Sequence, residues 1–186
     1  MANMGAITTT PLLTFEEFER LPDTPGKREL LEGEVIELPV PQFKHSANAH
    51  TIFRSLDTAI GAAHARSEAV ELGEVYIEMG YQLSTRSYVQ PDVSITHAGQ
   101  PVDKFLQRAP AIAIEIISPS NTVEEVDLKT KLYFQHGARE VWRIYPKTRH
   151  VTVHEPGKSH DVGERETLTT PLLPGLALSV REILGA

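Results

Sequence analysis

The stretch "PAIAIEIISPSN", residues 110–121, carries a single charge, Glu115, among isoleucines and alanines. A run this apolar, punctuated by the Ser-Pro-Ser-Asn turn signal, reads as a buried strand. An ionised carboxylate in such a place is costly unless it is paired, bound to a metal or protonated. Which of these holds decides both the fold's centre and its chemistry.

Working outward, "TVEEVDLKTKLYFQHG" reads as a helix closed by Gly137 at a C′ position. "REVWRIYP" and "HVTVHE" then form a hairpin across "PKTR", and a polar loop from Pro156 leads to "TPLLPGLALSVREIL", a last strand and a short helix. On the N-terminal side, "EVYIEMGYQLS" and "SYVQPDVSIT" alternate as a strand pair. Ser46 caps a helix through about Ala65, with Ile52, Phe53, Leu56, Ile60 and Ala63 on one face. "RELLEGEVIELP" reads as two short strands around a Glu32-Gly33 turn. Thr14 with Glu17 makes a capping box for a short helix over "TFEEFERL". Helices and strands in this order give a mixed α/β (or α+β) domain around a single sheet. Residues 1–13 are expected to be a flexible segment and 14–186 a single domain.

In "QPDVSIT", Val93 and Ile95 share one face of a strand, while Asp92 and Ser94 share the other. Pro91 suits an edge, a bulge or a strand start. If this strand neighbours the one holding Glu115, a spacing of about 4.8 Å lets both carboxylates reach one oxygen-loving cation. Magnesium or manganese suits such a donor set. The bland readings are that Asp92 caps a turn and that Glu115 is salt-bridged to Lys129. Glu29 and Glu34 read as solvated hairpin residues, Lys129 as a partner of Glu125 on an exposed face, and Tyr133 and Trp142 as core.

These residues resemble a known family. "PD" opening one strand, a Glu on the next, and "EIISPSN" followed by a helix and "EVWRIYP" are similar to the Uma-two family, within the PD-(D/E)xK restriction-endonuclease-like superfamily. "RELLEGEVIELP", "KHS" opening a helix, and "TPLLPGLALSV" extend the likeness over nearly the whole chain. The resemblance implies a metal-dependent nuclease. Asp92 and Glu115 would hold magnesium or manganese, with the Ile116 carbonyl as a third ligand and Glu34 adding a carboxylate. The superfamily pattern places a lysine where this chain has Ile117, and the family pattern moves it to the following helix, at Lys129 rather than Lys131. Tyr133 lies one turn beyond on the same face, and His45 stands at the family's position before its helix, lining the cleft.

Composition fits an ordinary globular chain: 186 residues, 40% hydrophobic, 23% charged, no cysteine and net charge −7. The absence of cysteine removes disulfides and thiolate chemistry and suits a reducing cytoplasm. No basic n-region with an apolar h-region opens the chain, and no stretch approaches a membrane span, so no membrane association is expected. The histidines form no HExxH, and those other than His45 read as surface residues; P-loop, dinucleotide and GxSxG signatures are missing. The expected function is phosphodiester hydrolysis, in DNA, by a cytoplasmic chain able to pair as a homodimer. The rival reading is a nucleic-acid-binding or regulatory module that kept the fold without turnover, favoured by Ile117 and the acidic charge. A third makes it a hydrolase of another phosphate ester. A basic groove from Lys44, Arg54, Arg86 or Lys104 would favour the nuclease.

Overall fold

The structure, a computed structural model, describes residues 11–66 and 71–185. The first ten residues of the expected flexible segment therefore lie outside the described residues. In chain order the elements are α1 (Phe15–Glu19), β1 (Lys27–Leu31), β2 (Glu34–Leu38), α2 (Phe43–Ala65), β3 (Leu72–Ile77), β4 (Tyr81–Ser84), β5 (Ser87–Val89) and β6 (Val93–His97). There follow β7 (Leu106–Gln107), β8 (Ile112–Ile116), α3 (Val123–Gln135), β9 (Glu140–Tyr145), β10 (His150–Glu155), β11 (Lys158–Gly163), β12 (Thr167–Leu168), β13 (Leu178–Ser179) and α4 (Val180–Leu184). The architecture is mixed α/β, with multi-stranded mixed sheets flanked by helices.

The local signals act where the residues put them. Thr14 and Thr122 each cap a helix reciprocally with the glutamate three positions on. Glu32 and Gly33 both take positive φ in the turn between β1 and β2, which brings Glu29 opposite Ile36 and Leu31 opposite Glu34. Gly137, at φ +104°, ends α3 in the left-handed conformation that only glycine adopts without strain.

The expectation of a single sheet is corrected. The strands divide into a five-stranded sheet ordered β2-β1-β5-β4-β7, a six-stranded sheet ordered β11-β10-β9-β8-β6-β3, and a β12-β13 ribbon. The strand pair over residues 74–96 passes from one sheet into the other, pairing β4 with β5 in the first and β3 with β6 in the second. One arm bends at Glu78, whose φ is +48°, and at Gly80, where a Cβ would collide with the Tyr88 hydroxyl. Pro91 bends the other, because it offers no N–H to a ladder. Alternation within each half hides this double bend from the sequence.

Two smaller expectations also change. The long helix starts at Phe43 after Pro41, not at Ser46, and its N-cap Gln42 makes no side-chain cap. The segment after Pro156 is a strand, not a loop: β11 pairs with β10 across a turn in which Gly157 has φ +81°. Its Lys-Ser-His-Asp sequence lacks the apolar alternation that marks a half-buried strand, because four of its residues face solvent.

The six-stranded sheet is covered on both faces. Ile112, Ile114, Ile116, Val93, Ile95 and Trp142 meet Ile52, Leu56 and Ile60 of α2 in one core. On the opposite face, Ala113 and Val141 meet Leu132 and Tyr133 of α3 together with Leu31 and Tyr81 of the five-stranded sheet. Glu115, alternating with Ala113, points into this second layer. β8 and β9 run parallel, joined through α3, so the helix lies over the end of β8 where Glu115 sits.

Candidate active site between the two sheets

Five elements or their ends bring charged side chains to one place. β1 supplies Lys27 and Glu29, the first turn of α2 supplies His45, the entry to β6 supplies Asp92, β8 supplies Glu115, and α3 supplies Lys129 and Tyr133.

Asp92 is 4% exposed, and both its oxygens are engaged. Oδ1 accepts from the Lys27 ammonium at 2.9 Å and lies 3.2 Å from His45 Nε2, while Oδ2 accepts from the backbone N–H of Ile116 at 2.7 Å. Lys27 also donates to the Gln90 carbonyl at 3.0 Å and lies 4.0 Å from Glu78. Burial opposes ionisation of Asp92, but the His45 hydrogen bond and the Lys27 charge win, holding its carboxyl well below the usual range. The same hydrogen bond to Asp92 raises the His45 pKa above its ordinary value. Lys27 is raised too, burial being outweighed by Asp92 and Glu29.

Glu115 answers the question set by its own strand. Its Oε1 accepts from the Tyr133 hydroxyl at 2.6 Å and lies 2.8 Å from the Lys129 ammonium. Lys129 is shared: its Nζ also lies 2.9 Å from each oxygen of Glu29. Glu29, 1% exposed, accepts in addition from the Gln90 N–H at 2.7 Å. Its Oε2 touches Lys129 without hydrogen-bond geometry and is left without a hydrogen bond. Burial raises the Glu115 pKa, Lys129 pulls it down, and the neighbouring Asp92 and Glu29 push it up; the net direction is upward. For Lys129 burial acts downward, but the two carboxylates prevail and keep it firmly an ammonium. Burial and the same carboxylates raise Tyr133 well above an ordinary phenol, so it stays a donor.

The expected residues thus fare differently. Asp92, Glu115, Lys129, Tyr133 and His45 stand together. Ile116 is beside them: its N–H binds Asp92, and the next N–H, of Ile117, binds the Ile144 carbonyl on β9. A trans peptide points its carbonyl opposite to its N–H, so the Ile116 carbonyl turns away from β9, toward the Asp92 side. Glu34 does not reach the cluster. It is exposed at the start of β2, next to the turn, and its cross-strand partner is Leu31. The carboxylate delivered from this hairpin is Glu29, which is buried rather than solvated. Glu125 does not hold Lys129, because its carboxylate is spent on the Thr122 cap. Arg143, opposite Glu115 on β9, is bound instead to Asp127 and Thr130 of α3.

Sequence reading passed over Lys27 and took Glu29 for a solvated hairpin residue. Alternation puts Lys27, Glu29 and Leu31 on one face and Arg28 and Leu30 on the other. The adjacent leucines are both buried, Leu30 against the aromatic rings of Phe15 and Tyr88 and Leu31 against α3, so neither face is solvated. That two-sided burial was the available signal that Glu29 faces inward. His97 and His154 are half-buried, each with a buried Nε2 that has no hydrogen bond. Of the candidate groove cations, Lys104 pairs with Glu19 near Phe105 instead.

Carboxylates and a backbone carbonyl are the hard oxygen donors that magnesium or manganese takes. The donor chemistry here fits such an ion; beside Glu115, and not reaching Asp92, a cavity of about 20 Å³ lined by Glu29, Glu115 and Lys129 and by apolar side chains such as Leu31 and Val126 has room for one water. The present partners of the carboxylates are ammonium groups, and among the described residues no group of three or more His, Asp or Glu stands assembled to hold a metal.

The Uma2 family model, described as "Putative restriction endonuclease", matches residues 15–181. A crystal structure of a "putative nuclease belonging to DUF820" from Anabaena variabilis is similar to this chain with a TM-score of 0.79 at 24% identity, covering 92% of this chain and 97% of the other. The likeness is one of fold, the restriction-endonuclease-like fold. No curated protein matches the chain.

Proposed function

Because this chain belongs to the Uma2 family, we propose that it is a nuclease in which Asp92 and Glu115, with the Ile116 carbonyl, hold a magnesium or manganese ion and direct the hydrolysis of phosphodiester bonds in DNA. The observation that carries this reading is the convergence of Asp92 and Glu115, from neighbouring strands, beside Lys129. The ion, when bound, supplies Lewis-acid polarisation of the phosphate and a bound water of lowered pKa.

The chain's own residues have distinct tasks. Lys129, kept protonated by Glu29 and Glu115, cannot act as a base near neutrality; it offers fixed positive charge to the phosphate, as electrostatic stabilisation requires. It stands in for the lysine that Ile117 replaces. Glu29 anchors Lys129 from the hairpin and takes the part expected of Glu34. Tyr133 remains a phenol and fixes one oxygen of Glu115. His45 orients Asp92. Residues 14–186 are the domain that bears this site; we assign it to the cytoplasm, able to pair as a homodimer. No helix among the described residues is long and apolar enough to cross a membrane.

A second reading, a nucleic-acid-binding or regulatory module without turnover, is favoured by one observation: Asp92 and Glu115 are already neutralised by lysines. A cleavage assay over single- and double-stranded DNA and RNA, with magnesium and with manganese, separates the two. The nuclease reading requires metal-dependent cleavage that Glu115→Gln abolishes. Binding without cleavage of any substrate by the wild type would leave the module.

A further inference from the structure

Resting on the metal site just proposed, we infer that Lys27 is a tethered counter-ion of Asp92, which a divalent cation must displace before it can bind. The metal-free site is closed by the chain's own ammonium group, and metal uptake is an exchange rather than a simple filling.

The geometry leads there in three steps. Each oxygen of Asp92 is engaged: Oδ2 accepts from the Ile116 N–H, and Oδ1, the oxygen turned to the charged groups, faces both Lys27 and His45. A cation that coordinates Asp92 through Oδ1 meets Lys27 and His45 already there, and adding a double positive charge beside the ammonium sets up a repulsion that moving Lys27 relieves. Of the two lysines in the cluster, Lys27 is the one able to leave. Lys129 is clasped by two carboxylates and comes from the middle of a helix. Lys27 is bound by one carboxylate and one carbonyl, from the first residue of β1.

It also has somewhere to go. The Glu78 carboxylate, 4.0 Å away and with a side chain 44% exposed, lies on the solvent side of the same ammonium. Rotation of the flexible lysine stem carries the charge from Asp92 toward Glu78. There it stands at the edge of the cleft, where an incoming phosphate would meet it. Lys27 is thus a positioning residue for the cation.

The test is calorimetric titration of the full chain with manganese chloride, comparing wild type with Lys27→Met, which keeps the apolar stem and removes the charge. The expected result is manganese binding at least tenfold tighter in Lys27→Met, together with a lower melting temperature in chelator, because Asp92 has lost its partner. A merely structural lysine would lower the melting temperature without tightening the metal. Equal or weaker manganese affinity in the variant overturns the exchange while leaving the metal site standing. If neither protein binds manganese at millimolar concentration, the metal site fails and the exchange with it. Should Lys27→Met not fold, the wild type decides the matter: the Lys27 side-chain ammonium resonance, assigned through Lys27→Arg, must move to a solvent-exchanging position as magnesium is added. A signal unmoved at magnesium saturation overturns the inference.

Discussion

Replacing Lys129 by Met removes one charge from between two carboxylates, Glu29 buried and Glu115 partly so. In the wild type its Nζ lies 2.8 Å from Glu115 and 2.9 Å from Glu29. Breaking a buried pair by deleting one partner costs about 3–5 kcal/mol, because the other charge is left uncompensated. Here each carboxylate keeps one neutral donor, Tyr133 O–H for Glu115 and Gln90 N–H for Glu29. The loss should therefore fall near the lower end, about 3 kcal/mol, or roughly 6–12 °C in melting temperature for a chain of this size. Urea unfolding followed by circular dichroism at pH 7 measures it, with exposed Lys131→Met as a control expected within about 0.5 kcal/mol of wild type. The pH dependence has a definite sign. Glu115 already has a raised pKa in the fold, and loss of Lys129 raises it further. A carboxyl whose folded pKa lies above its unfolded one destabilises most at high pH, and the penalty fades as the pH falls through the folded value. The gap between variant and wild type should shrink from pH 7 toward pH 4. A Lys129→Met protein as stable as wild type at pH 7, or a gap that does not narrow in acid, would refute the view that this ammonium neutralises both carboxylates.

Two further outcomes follow from the same cluster. Glu115→Gln leaves Lys129 its Glu29 partner and removes a burial cost, so in chelator it should melt at or above the wild-type temperature, while losing most of the rise that manganese produces by binding the folded state; marked destabilisation in chelator would make this carboxylate chiefly structural. The His45 pKa is raised by Asp92 above the ordinary imidazole value of about 6.5, so its contribution is complete below that value and disappears as the pH rises through the folded one; thermal melts of the metal-free protein between pH 6 and 9 should fall for wild type and stay flatter for His45→Gln, and parallel curves would show that the imidazolium does not stabilise Asp92.

Much of this molecule could be read from short-range signals. The capping boxes at Thr14 and Thr122, the Glu32-Gly33 turn and the apolar run around Glu115 each act within a few residues, and each stands where the pattern put it. Strand alternation aims Asp92 and Glu115 to one side of their strands, whereas Lys129 was singled out through the family resemblance, its residue-level reading being an exposed partner of Glu125. What escaped depends on non-local pairing. Lys27 meets Asp92 across 65 positions of sequence and Lys129 meets Glu29 across 100, and no local period records such meetings. Glu34 was preferred to Glu29 on the family resemblance alone, but it flanks the turn and faces water, while Glu29 is buried. The division into two sheets was hidden because Pro91 and Gly80 interrupt strands whose alternation resumes beyond them.

The paired bends that carry residues 74–96 between the sheets have a mechanical consequence. Gln90 and Asp92 sit in one bend and Glu78 in the other, and the bends are stitched together by the Glu78 N–H to the Asp92 carbonyl. Lys27 and Glu29, from the five-stranded sheet, grip this joint through Asp92 and the Gln90 backbone. The charged cluster is therefore a latch holding two sheets shut, and its contents set how tightly. Exchanging its internal cations for an external one rewires that latch, so ion occupancy should be felt as slower or faster hydrogen exchange at the Gln90 and Ile116 amides. Any change that speeds turnover by loosening these charges would also ease the parting of the sheets.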